Sequence, residues 1–84
     1  MFRLGDRVVL IKTLGNSYLR KGDTGVVVDY YDYHNVGVDW GKCVGGHSCN
    51  YKCEYGNGWY VPSDSLKIAE YPRGTSNYDK LAGF

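Results

Sequence analysis

Hydrophobic and polar positions alternate along most of the first 69 residues, with the period of two that is typical of β-strands. The predicted strands span residues 7–12, 24–31, 35–40, 59–61 and 66–69. The third strand is the clearest, because Val36, Val38 and Trp40 fall on one face while Gly37 and Asp39 fall on the other. No apolar period of 3.6 residues persists, so the pattern predicts an all-β domain.

The predicted strands are separated by segments rich in turn-forming residues. We expect a polar loop over residues 13–22, a hairpin turn over 32–35 and a 3₁₀ turn after Pro62, capped by Ser63 or Asp64. If Val61 points inward, the alternation places Trp59 on the same face and Tyr60 outside. From residue 70 the composition changes, which predicts one domain over 1–69 and a flexible tail over 70–84.

Composition narrows the function only slightly. A chain of 84 residues has a thin stability margin. Its net charge of +1 gives little attraction to nucleic acid or anionic lipid. The sequence shows neither a signal-peptide core nor a stretch that could span a bilayer, so we expect no membrane partner. Three cysteines without an export signal favour a reducing cytoplasm.

The most unusual segment is a glycine-rich insert over residues 41–58, which we expect to lie outside the wall of the domain. It contains four potential zinc ligands: Cys43, His47, Cys49 and Cys53. Their spacing departs from the usual paired pattern, so the alternative is that the cysteines are buried as small apolar residues. A Cys49–Cys53 disulfide is a further alternative. Catalysis by a cysteine with His47 as base would need a pocket, and a glycine-rich insert on so small a domain offers little enclosure for one. We therefore expect no cofactor, with structural zinc as the alternative.

Several short motifs resemble those of the SH3-like barrel superfold. They are Gly5-Asp6-Arg7-Val8, the run from Lys21 to Val27, the run from Val36 to Trp40, and Trp59-Tyr60-Val61-Pro62 followed by Leu66. The first two are similar to elements of KOW-type and Mind-bomb/HERC-type members. The resemblance implies a small five-stranded barrel, with the Gly/Cys-rich insert before the fourth strand. The run from Gly45 to Val61 also resembles small bacteriophage and prophage proteins, which implies a phage origin and residence in the host cytoplasm.

Nine tyrosines in so short a chain suggest a binding surface. SH3-like barrels display aromatic residues between the first loop and the 3₁₀ turn, and the corresponding candidates here are Tyr18, Tyr30, Tyr31, Tyr33 and Tyr60. The leading prediction is a non-enzymatic protein-interaction module, an accessory protein that binds a host or phage protein. The alternative is a KOW-like nucleic-acid-binding barrel that contacts phosphates through Arg20, Lys21, Lys42 and Lys52. Oligomeric state is not indicated by the sequence.

Overall fold

The protein consists of one five-stranded antiparallel sheet with its connecting loops. The structure is a computed structural model and describes residues 2–69. Its strands are β1 (Arg7–Leu10), β2 (Thr24–Tyr30), β3 (Asn35–Asp39), β4 (Gly58–Pro62) and β5 (Leu66–Ile68), and a 3₁₀ turn spans Ser63–Ser65. The order across the sheet is β4-β3-β2-β1-β5. The predicted all-β class is confirmed, with five strands and the insert before the fourth.

The core lies on one face of the sheet, as the alternation predicts. Val36, Val38 and Trp40 are all buried, and Val61 joins them from β4. Trp59 is only partly buried and packs against the margin of this core, so the prediction that it lies inside holds only in part. Complete burial of a valine or leucine side chain contributes about 1.5–3 kcal/mol, and this cluster therefore supplies much of the stability of so small a domain.

The insert over residues 41–58 is not an external appendage, and that prediction is wrong. Val44 belongs to the core cluster, and both Val44 and Cys49 are fully buried. His47 forms a bridge with Gly58 at the start of β4, through two backbone hydrogen bonds of 2.9 and 2.8 Å. The insert therefore packs against the sheet and partly covers the outer edge of β4.

A β-bulge interrupts β2 and determines which residues face outward. Val27 pairs with Val38, but the next pair is Asp29 with Gly37, so Val28 is an extra residue. Strict alternation places Asp29 on the same face as Val27. The bulge instead moves the carboxylate to the outer face, opposite Gly37.

The 3₁₀ turn forms where predicted, but its capping differs. Pro62 is the N-cap residue and makes no side-chain cap. Ser63 donates its hydroxyl to the carbonyl of His34, and Asp64 forms an exposed ion pair with Lys12. Between residues 2 and 69 no helix is long and apolar enough to cross a membrane. The predicted tail over residues 70–84 lies outside the described part of the chain.

Candidate functional site

Four aromatic rings from the end of β2, the insert and β4 form a continuous chain of contacts. The ring centroids of Tyr31 and Tyr60 are 5.1 Å apart, those of Tyr60 and His47 are 4.9 Å apart, and those of His47 and Trp59 are 5.9 Å apart. We call these four residues the aromatic platform. The spacings fall in the range of favourable aromatic contacts, each contributing about 0.5–1.5 kcal/mol. The platform is thus an ordered surface, and 68% of Tyr31 at its end is exposed.

A single carboxylate anchors the platform. The Tyr60 hydroxyl donates to Asp29 Oδ2 at 2.7 Å, and Asn50 Nδ2 donates to the same oxygen at 3.2 Å and to the Tyr60 hydroxyl at 3.3 Å. Lys52 Nζ lies 3.4 Å from Asp29 Oδ1. Asp29 thereby links β2, β4 and the insert, which are remote from each other in sequence.

These contacts shift the acidities of the two central groups in opposite directions. Burial raises the pKa of Asp29, but hydrogen bonds from Tyr60, the Tyr30 backbone and Asn50 outweigh it and hold that pKa below its usual value. Burial, followed by the hydrogen bond to Asp29, raises the pKa of Tyr60 far above its ordinary value. Tyr60 therefore remains a hydroxyl donor and Asp29 a charged acceptor at neutral pH.

A glycine on β3 makes room for this arrangement. Gly37 pairs with Tyr60 on one side and with Asp29 on the other. A side-chain carbon at Gly37 would lie 2.8 Å from a Tyr60 ring carbon, 3.0 Å from the Cys49 sulfur and 3.1 Å from Asp29 Cβ. The bulge in β2 and the missing side chain at position 37 together bring the carboxylate and the phenol into contact.

A left-handed turn in the insert presents another tyrosine beside the platform. Cys49, Asn50 and Tyr51 have φ angles of 49°, 60° and 65°. For residues other than glycine, this conformation costs about 1–2 kcal/mol per residue. The Cys49 amide donates to His47 Nδ1 and the Tyr51 amide to the Ser48 hydroxyl, while the two amides that follow the turn donate to the Ser48 carbonyl. The strain of the turn is therefore retained in the folded state, and the turn leaves Tyr51 95% exposed.

The predicted zinc ligands do not converge. Cys43 is exposed, whereas Cys49 is buried and Cys53 half-buried beside Gly58. His47 uses Nδ1 to accept the hydrogen bond from the Cys49 amide. Within residues 2–69 no group of three or more His, Cys, Asp or Glu side chains is placed to hold a metal ion. The zinc alternative therefore gains no support from these residues.

Both thiols beside Gly58 are mostly protonated at neutral pH. Burial, followed by the neighbouring Cys53, raises the pKa of Cys49 to about 12. Burial also raises the pKa of Cys53, and Asp39 adds to the effect. Because the thiolate is the reactive form, neither cysteine resembles an activated catalytic nucleophile.

The five predicted binding tyrosines do not form one patch. Tyr31 and Tyr60 belong to the platform, but the Tyr30 hydroxyl donates to the Phe2 carbonyl, and Tyr33 packs edge-on against His34. Tyr18 lies against Gly45. Asp29, Asn50 and Tyr51 also contribute, although none of them is among the five predicted binding residues. The only signal for them was the position of Asn50-Tyr51 within a segment that shows no strand alternation.

The predicted basic strip is divided and partly neutralised. Lys42 forms an ion pair with Asp23 at 2.9 Å, while Lys52 pairs with Asp29. Those two aspartates are six residues apart, about 20 Å at strand spacing. Arg20 and Lys21 are exposed near Asp23, at the same end as Lys42. Lys42 and Lys52 therefore belong to two separate ion pairs, and each shares its charge with a carboxylate.

Comparison of the chain with protein-family models, curated proteins and solved structures gave no significant match.

Proposed function

We propose that this chain is a non-enzymatic protein-interaction module that binds its partner through the aromatic platform and Tyr51. The observation that carries the proposal is the fixed display of exposed tyrosines. Tyr31 is held by the Tyr60 ring, and Tyr51 directly follows Asn50, whose side chain bonds to Tyr60 and Asp29. Tyrosine is enriched among residues that dominate binding energies.

Preorganisation is the physical reason that this surface suits binding. A side chain that is ordered only on binding costs about 0.5–1.5 kcal/mol of affinity. The Tyr60 ring is already held between His47 and Tyr31, so much of that cost is met during folding. Strained backbone that the surrounding contacts maintain is concentrated at functional sites. The left-handed turn under Tyr51 is such a segment.

Two further observations favour protein over the other candidates. The raised pKa values of Cys49 and Cys53 argue against thiol catalysis. The ion pairs of Lys42 and Lys52 reduce the charge available to phosphates. Nucleic-acid binding stays a prediction without structural support here. The phage-type resemblance makes a host or phage protein the expected partner, encountered in the host cytoplasm.

The proposal is tested by alanine substitutions at Tyr51 and Tyr31, with Tyr33→Ala as the matched control. Tyr33 is 80% exposed but lies outside the platform. A partner is first isolated by affinity purification from the native host, purified, and titrated by calorimetry against each variant. Removal of a binding hot spot costs about 2 kcal/mol, so we expect Tyr51→Ala to weaken binding roughly 30-fold.

We expect a smaller loss for Tyr31→Ala, because Tyr60 still offers part of the same apolar surface. Tyr33→Ala should bind like the unmodified chain. Circular dichroism and urea unfolding confirm that all three variants fold. If the folded Tyr51→Ala and Tyr31→Ala variants bind normally, or if Tyr33→Ala causes the same loss, the platform is not the binding surface.

A further inference from the structure

Two thiols enclose the strained turn that carries Tyr51. A side-chain carbon at Gly58 would lie 2.7 Å from the Cys49 sulfur and 2.9 Å from the Cys53 sulfur. Because both distances are measured from the same point, the two sulfur atoms cannot be farther apart than their sum. Of the three cysteines, Cys43 is exposed and has no part in this arrangement.

The backbone also brings these two residues together. The Ser48 carbonyl, which directly precedes Cys49, accepts hydrogen bonds from the amides of Lys52 and Cys53 at 2.8 and 3.0 Å. A disulfide requires Cα atoms within about 7 Å of each other. The hydrogen bond from the Cys53 amide to the Ser48 carbonyl shows that the chain folds back here and brings residues 48 and 53 together.

We infer that Cys49 and Cys53 form a reversible disulfide that locks the Tyr51 turn. The oxidant is a low-molecular-weight disulfide such as oxidised glutathione. The half-buried Cys53 attacks first as its thiolate, forming a mixed disulfide and releasing one glutathione thiolate. Cys49, after losing its proton, then attacks the Cys53 sulfur and releases the second. Two cysteine thiols are oxidised, and one glutathione disulfide is reduced to two thiols.

The disulfide would stabilise the turn that carries Tyr51. Three consecutive left-handed residues strain this turn, and a bond between Cys49 and Cys53 closes a loop of five residues around it. The chain-entropy relation for such a loop corresponds to a roughly 30-fold lower population of the open turn. The expectation that the disulfide tightens partner binding rests on the proposed function. Formation of the disulfide and its effect on the turn do not rest on it.

The test uses the full chain with Cys43→Ser, which removes the exposed thiol and intermolecular disulfides. The protein is incubated with oxidised glutathione and examined by mass spectrometry before and after reduction. We expect loss of the mass of two hydrogen atoms and a cross-linked peptide containing Cys49 and Cys53. The control adds Cys53→Ser, which preserves the size of a half-buried side chain and cannot form the bond.

Amide hydrogen exchange then measures the lock without any partner. The amides of Lys52 and Cys53 should exchange roughly 30-fold more slowly in the oxidised form, and reduction should reverse the change. A stable glutathione adduct without the internal bond would overturn the proposal, as would unmodified thiols in a native sample. An internal bond with unchanged exchange would refute the locking role. None of these outcomes depends on whether the platform binds a protein.

Discussion

Removal of the Tyr60 hydroxyl tests how much its hydrogen bond to Asp29 stabilises the fold. Tyr60→Phe keeps the ring and its contacts with Tyr31 and His47 but deletes the 2.7 Å hydrogen bond to Asp29. A hydrogen bond to a charged group contributes about 1.5–3 kcal/mol. Asp29 retains Asn50 and Lys52 as neighbours, and its side chain is 14% exposed. We therefore expect the lower end, about 1.5 kcal/mol.

Urea unfolding at pH 7 measures this loss. With a denaturant slope of about 1 kcal/mol per molar for a small domain, the midpoint should fall by about 1.5 M. Tyr31→Phe is the matched control, because within residues 2–69 its hydroxyl makes no hydrogen bond, unlike those of Tyr30 and Tyr60. Its free energy of unfolding should remain within about 0.5 kcal/mol of that of the unmodified protein.

A double-mutant cycle isolates the partner. In an Asp29→Asn background, Tyr60→Phe should cost only about 0.5–1 kcal/mol, because the remaining acceptor is no longer charged. Acid should have the same effect. The pKa of Asp29 is lowered in the folded state, so its contribution is complete above its unfolded value of about 3.9 and is lost as the pH falls through the folded value. Equal losses for Tyr60→Phe and Tyr31→Phe, or an undiminished loss with Asp29→Asn, would refute this reasoning.

Two packing predictions accompany this one. Gly58→Ala should destabilise the fold by at least about 2 kcal/mol, because its added carbon would lie 2.7 Å from both the Cys49 sulfur and the His47 carbonyl oxygen. The control Gly15→Ala places its added carbon in open space and should change the urea midpoint little; equal effects of the two substitutions would contradict the packing. Val44→Ala should cost about 2 kcal/mol in urea unfolding, because the side chain is fully buried; a neutral result would show that the insert lies outside the core after all.

Strand positions could be predicted where one face alone is apolar. In β3, Val36 and Val38 alternate with Gly37 and Asp39, and a shift of one residue would expose the valines. This fixed the register and the core side of Trp40. In β2, three consecutive valines are apolar on both faces, so the pattern gave no indication of a bulge at Val28.

The site could be predicted only in part for the same kind of reason. Tyr31 and Tyr60 were recognised from their residue type and strand position. Asp29 and Asn50 are 21 residues apart, and they meet only because the bulge and the insert bring them together. The left-handed turn runs against the local preference of Cys49 and Tyr51, so tertiary contacts determine its conformation. Short-range patterns carry no information about such contacts.

The central claim is that the insert is docked against the sheet and holds the tyrosines in place. Solution NMR tests it most directly, through nuclear Overhauser effects between the Asn50 side-chain amide and the Tyr60 ring. The account predicts these contacts, together with strong intraresidue amide–Hα effects at Cys49, Asn50 and Tyr51, which positive φ angles produce. Absence of the Asn50–Tyr60 contacts, with averaged signals for the turn, would contradict it.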